Sequence, residues 1–414
     1  MRMKKNFIYL TVVSLLFCAC DKNNNNGIDP LPDAKSIELR SELLPKIEQD
    51  NAFAFDLFKQ VYQTDKSSNV FISPLSVSMA LSMTLNGAKG QTFEEMKNAL
   101  RISGFSMDEI NEYCQTLKNA LLKADVSTEF SIANSIWYKQ GFSVENNFLN
   151  VNKEYFGAEV TEADFSNPAT LKRINQWCSD NTKGKIPTIL DEIPADVLMY
   201  LINAIYFKGI WKYQFDKKQT FDGTFYNENG VKRLVKMMNQ TGNFEYFADE
   251  TACYLTLPYG NGAFSMRLLL PNENKTVEDV INHINPQSWQ NISDYSAVME
   301  VRLQLPRFKA ECKYLLNDEE ILPKMGMVIP FSDCADFTGI SKKGGIQISK
   351  VIHKTYVSVD EEGTEAAAVT AVEMTYTSAG PTTPINYIVN RPFVFVIQEN
   401  STGAILFTGV IKEL

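Results

Sequence analysis

His283 and His353 are the only two imidazoles in 414 residues, so a Ser-His-Asp or Cys-His hydrolase would have to be built on one of them. His283 ends a polar, helix-like stretch, Glu278 to His283, and is expected to face solvent. His353 lies in a strand-like run, Val351-Ile352-His353-Lys354, and the chain holds no GxSxG elbow that could supply a nucleophile. HExxH, a P-loop and a strand-borne GxGxxG are missing as well, and Gly87-Ala88-Lys89-Gly90 is too short to cradle a phosphate. Beyond Cys18 and Cys20 come Cys114, Cys178, Cys253, Cys312 and Cys334, odd in number and without ligand spacing. Most of them read as small buried hydrophobes, not as a zinc site or a disulfide framework. Carboxylate pairs abound, but spacing singles out none of them, so a glycosidase stays open and unsupported. The residues argue against an enzyme, a metal and a cofactor.

The segment that does stand out is Glu361 to Pro384, EEGTEAAAVTAVEMTYTSAGPTTP. About two dozen residues between apparent strands at Thr355 to Val359 and Ile385 to Val389 is far longer than an ordinary connection. Thr364, Ala366, Ala368, Thr370, Val372 and Met374 share one parity and carry no charge. The other parity holds both carboxylates, Glu365 and Glu373. That two-residue period describes a strand with one buried face. No proline interrupts Glu361 to Gly380, so every N–H could join a ladder. Gly363 provides hinge-like freedom at the start. An Ala-rich surface helix capped by Thr364 is the rival reading, and a segment that switches structure could satisfy both.

The elements around this segment read as α+β, with helical patterns collected early and strands late. Ala52 to Tyr62 repeats apolar residues on one helical face, and Ser76 to Leu85 is a second apolar helix with Asn86-Gly87 as its C-cap. Thr92 and Glu95 have capping-box spacing. Met199 to Phe207, Ala263 to Leu270, Val298 to Leu305 and Phe393 to Gln398 are expected strands.

Residues 1–19 are expected to be a signal peptide: Arg2, Lys4 and Lys5 precede an apolar run from Phe7 to Phe17. Ala19 before Cys20 resembles a bacterial lipoprotein cleavage site, with Cys20 lipidated; Phe17 departs from the usual Leu, and a plain secretory peptide is the alternative. Residues 20–40 read as a flexible tether and 41–414 as one folded domain. Losing three cations and no anion takes the net charge from −9 to −12. That acidity disfavours nucleic acid as a partner.

Several motifs together resemble the serpin family over roughly residues 45–414. Glu361-Glu362-Gly363-Thr364-Glu365-Ala366-Ala367-Ala368 is similar to the proximal hinge of inhibitory serpins, and Asn390-Arg391-Pro392-Phe393-Val394-Phe395 to the C-terminal signature. Asn69 to Ser76 resembles the start of the family's central buried helix. Asn203 to Trp211 resembles the strand leading to the breach, and Asn175 to Leu190 the stretch after the helix over the main sheet. The resemblance implies helices packed on three β-sheets with an exposed reactive-centre loop. It implies a shutter of Ser73, Ser76, Asn203 and His353, and a breach that includes Trp211 and Arg307.

It further implies a protease inhibitor and not an enzyme. The loop would be cleaved by its target, and the upstream piece would insert as a strand while the protease is held as a covalent acyl-enzyme. Counting seventeen residues from Glu361 ends at Thr377, before Ser378. Tyr376 is the larger side chain and the favoured anchor, so both Tyr376-Thr377 and Thr377-Ser378 stay open. Chymotrypsin-, elastase- or subtilisin-like serine proteases are the expected targets, with papain-like cysteine proteases beside them. No Lys or Arg lies between Lys354 and Arg391, which disfavours a trypsin-like target. A monomer on the bacterial cell envelope, held by its lipid and facing periplasm or exterior, completes the expectation. A non-inhibitory serpin acting as a binding protein is the alternative.

Overall fold

The computed structural model describes residues 31–364 and 383–414. The N-terminal half carries α1 (Leu44–Thr64), β1 (Val70–Ile72), α2 (Pro74–Leu85), α3 (Gly90–Ala99), α4 (Met107–Leu121), β2 (Glu129–Lys139), α5 (Asn146–Phe156), β3 (Glu159–Ala163) and α6 (Pro168–Asn181). Then come β4 (Met199–Ile210), β5 (Phe221–Tyr226), β6 (Lys232–Ala248), β7 (Ala252–Pro258), β8 (Phe264–Pro271), α7 (Val277–His283), α8 (Pro286–Tyr295), β9 (Ala297–Pro306) and β10 (Phe308–Leu315). The chain closes with β11 (Ile352–Val359), β12 (Gly363–Thr364), β13 (Ile385–Ile388), β14 (Phe393–Glu399) and β15 (Ile405–Ile411).

One sheet runs β10-β11-β12-β4-β2-β3. A second ladder, β1-β15-β14-β8-β7-β6-β9-β13 with β5 also on β6, is two sheets made continuous by the long strand β6. Its first residues pair β5 and its middle pairs β9, while its last four pair β7. The fold is therefore α+β, helices on three sheets.

α2 lies under the first sheet with every residue buried except Ala80. A helix apolar on all sides is stable only inside a protein. Ser73 caps it, its hydroxyl accepting from Ser76 N–H, and Pro74 opens it. On the opposite face of the sheet α6 covers a smaller apolar cluster that includes Trp137, Trp177, Tyr200 and Ile202.

One local expectation, the capping box, is corrected. Thr92 and Glu95 cap no helix, because α3 begins at Gly90. Thr92 accepts from Asp336 N–H (2.8 Å), and the Glu95 carboxylate takes Val328 and Ile329 N–H (2.9 and 2.6 Å). Asn86 caps α2 as expected, in right-handed geometry, so Gly87 serves as no left-handed cap. The glycine is required by crowding, since a Cβ there would sit 2.1 Å from the Ile340 side chain.

Candidate functional site

Gly363 and Thr364 form a two-residue strand wedged between β11 and β4. Thr364 pairs with Val359 on one side and Gly209 on the other, and Gly363 with Ile210. A Cβ on Gly363 would lie 2.0 Å from the Gly209 carbonyl oxygen, so backbone approach this close demands glycine. The Thr364 side chain is 2% exposed, and its hydroxyl shares a 2.5 Å hydrogen bond with that of Tyr259. Tyr259 in turn stacks on Trp211, with ring centroids 4.5 Å apart.

The residues just before this strand are grasped firmly. Glu361 is 1% exposed. Arg307 donates to it through Nε (2.9 and 3.0 Å) and Nη2 (2.7 Å), and the Thr220 hydroxyl adds a bond of 2.5 Å. Burial opposes ionisation here, but these hydrogen bonds outweigh it and hold the carboxyl below its ordinary range. Glu362 pairs with Lys217. Backbone bonds complete the grip: Trp211 N–H donates to Glu362 O (2.8 Å), Phe215 N–H to Glu361 O (3.0 Å), and the Trp211 indole to Asp360 O (2.9 Å).

Below Thr364 the sheet is different. Among the described residues β4 and β11 share no ladder pairing. A cavity of about 530 Å³ lies between them, walled by Leu201 and Asn203 on one bank and Ile352 and His353 on the other. Ile189 and Leu190 also line it. They belong to the tail of α6, which Asn175 clips by accepting from Ile189 and Leu190 N–H and donating to Leu190 O (2.8–2.9 Å). Lys354 fastens that tail to β11 through Thr188 O, and Lys313 pairs with Asp191 from β10.

The first turn of α2 ties the two banks together from beneath. Ser73 N–H donates to His353 Nε2 (2.9 Å) on the β11 bank, while its hydroxyl donates to Leu406 O (2.8 Å). The Ser76 hydroxyl donates to Asn203 Oδ1 (2.5 Å) on the β4 bank, and Asn203 Nδ2 reaches Asn134 (2.7 Å). Burial lowers the His353 pKa to about 4, so the ring is neutral and can accept. The four residues named from sequence thus sit around one helix N-terminus, with His353 and Asn203 on opposite sides of the gap.

Sequence reading missed Tyr259, Thr220, Lys217 and Asn134, none of which has a local signature; their partners are between 69 and 145 residues away. His283 was expected in solvent but is half-buried, its Nε2 3.0 Å from Asp249 Oδ2. The five described cysteines are free: Cys114 and Cys178 are buried, Cys253 and Cys312 half-buried, and Cys334 is exposed. Glu365, Ala366, Ala367, Ala368, Tyr376, Thr377 and Ser378 lie outside the described residues, as do the signal segment and Cys20.

Residues 48–413 match the family model described as serpin (serine protease inhibitor). A serpin-like protein of Thermococcus kodakarensis is 36% identical over 88% of this chain and 85% of its own length. The human leukocyte elastase inhibitor is 34% identical over 86% of this chain and 96% of its own. The native-state crystal structure of the thermophilic serpin tengpin superposes with a TM-score of 0.81 at 33% identity, covering 93% of this chain and 97% of that one.

Proposed function

Because the chain belongs to the serpin family, we propose that it inhibits proteases as a suicide substrate. A target protease cleaves the loop near Tyr376-Thr377 or Thr377-Ser378 and becomes acylated on it. The freed segment then enters the first sheet as a full central strand before water releases the enzyme. The observation that carries this reading is β12, a ladder already begun between β4 and β11 above the cavity where, among the described residues, those two strands share no pairing. Continuing its register in the inserted product sets Ala366 opposite Phe207, Ala368 opposite Ile205, and Thr370 between Asn203 and His353. Those positions belong to the uncharged parity. Thr364 already faces the core, so the same face would be buried throughout. Delaying deacylation a millionfold requires about 8 kcal/mol, the scale of ten or so ladder hydrogen bonds at about 1 kcal/mol each.

Tyr376 would fill a primary specificity pocket better than Thr377, which favours chymotrypsin-like and subtilisin-like serine proteases; Thr377 favours elastase-like ones. Papain-like enzymes can acylate on the same bond. The relative named as an elastase inhibitor supports a protease as the partner. The reading also holds the protein as a monomer on the bacterial envelope through a lipid on Cys20.

Incubation with chymotrypsin, an elastase, subtilisin and papain, followed on one denaturing gel, tests the reading. A covalent complex with at least one of them is expected, and sequencing the new N-terminus of the released fragment identifies the bond. Clean cleavage by all four would make the chain a non-inhibitory, binding-type serpin. The mass of the mature N-terminal peptide tests the lipid.

A further inference from the structure

We infer that Tyr259 is the positioning residue that fixes the register in which the loop enters the sheet; this rests on the trapping mechanism above. Its ring is fully buried and held from several sides. It stacks on Trp211, meets Phe207 edge-on at 5.2 Å, and its backbone bonds Phe264 O (2.9 Å). The next residue, Gly260, donates to Ile210 O (2.8 Å), tying this turn to the end of β4. Everything about Tyr259 is thereby fixed except the partner of its hydroxyl, and that partner is Thr364.

The neighbours of Thr364 in sequence could not take its place. A slip of one residue in either direction would offer the Tyr259 hydroxyl Gly363, which has no side chain, or Glu365, which would bring a charge against a buried ring. The close approach of Gly363 to the Gly209 carbonyl makes a second, steric key beside the hydroxyl pair. A strand started in the correct register needs no search and can zip downward. A strand started loosely loses time, and time lost is acyl-enzyme hydrolysed.

The test uses the full chain with whichever of those four proteases forms the complex and reads the ratio of cleaved inhibitor to covalent complex, beside the thermal midpoint of the uncleaved protein. Tyr259→Phe and Thr364→Val should each raise that ratio about fivefold, the worth of one neutral hydrogen bond. Thr364→Ser keeps the hydroxyl and should stay within about twofold of the parent. The Tyr259→Phe/Thr364→Val double variant should be no worse than either single one, because both remove the same contact. Equal behaviour of the Ser and Val variants, or effects that multiply in the double, would overturn the assignment. The Ser and Val pair decides it even if Tyr259→Phe fails to fold. A parent that all four proteases cleave without any complex overturns trapping itself, a different outcome on the same gel.

Discussion

The two ends of the gap between β4 and β11 are built on opposite principles. At the upper end a strand is present, and charge and hydrogen bonding hold it: Arg307, Thr220 and Lys217 on the two carboxylates, Tyr259 on Thr364. At the lower end no strand among the described residues separates the banks, and neutral groups on one helix turn keep them in place: Ser73 on His353 and Ser76 on Asn203. The upper end fixes where a strand begins; the lower end leaves room for the rest of it. A sheet finished at both ends would have nothing to gain from insertion, and one open at both would have no register.

The strongest way to break this contrast is to spoil the filled end. Thr364→Arg would put an unpaired guanidinium against the Tyr259 ring, where Thr364 is buried. We expect covalent complex to vanish while cleavage persists, turning inhibitor into substrate. Complex that survives denaturing electrophoresis in this variant would sink the assignment of the hinge.

Acid should distinguish the two ends next. His353 is neutral when buried, with its pKa depressed to about 4 from an ordinary 6.5. The unfolded chain therefore binds more protons between these values, and stability drops as pH falls from about 6.5 towards 4 by about 3 kcal/mol. Glu361 also has a depressed pKa, so its contribution is complete above the ordinary carboxylate range and disappears only as pH falls below it. The lower end should weaken first. Urea unfolding of the parent and of His353→Asn across pH 4–7 checks this; an equal slope in both would remove His353 as the cause.

A smaller effect is expected from Arg307→Met. It leaves the buried Glu361 carboxylate with the Thr220 hydroxyl and its own backbone N–H, at a cost of about 2 kcal/mol, visible as a lower urea midpoint at pH 7. Arg307 is itself half-exposed, so water replaces part of what is lost. Restoration by Arg307→Lys should be incomplete, since Lys cannot supply the forked geometry.

How much of this contrast was legible in the residues follows from where the partners lie. The loop's two-residue parity put Thr364 on the uncharged face, and the structure buries that side chain. The polar cluster around α2 was named from a family pattern, not from spacing, because Ser73 and His353 are 280 residues apart. Thr92 and Glu95 had the spacing of a capping box and were taken instead by backbone N–H groups more than 230 residues away. Local chemistry proposes a partner, and burial decides whether a distant one competes successfully. Tyr259 was invisible for the same reason: in a turn reading Pro-Tyr-Gly-Asn-Gly nothing local announces that its hydroxyl will meet a residue 105 positions on.

The smallest expected effect sharpens the contrast from within the upper end. Lys217 reaches Glu362 from the surface, and its side chain is mostly in water. An exposed ion pair gains little over its hydrated ions and is screened by salt. Glu362 also keeps its place through its backbone, with Trp211 N–H on its carbonyl. Lys217→Met should therefore leave both the urea midpoint and the ratio of cleaved to complexed protein within experimental scatter at 0.15 M salt. A Lys217→Met defect as large as that of Arg307→Met would mean that the hinge is held by surface charge and not by the buried Glu361 carboxylate, and the filled end would have to be redrawn around Glu362.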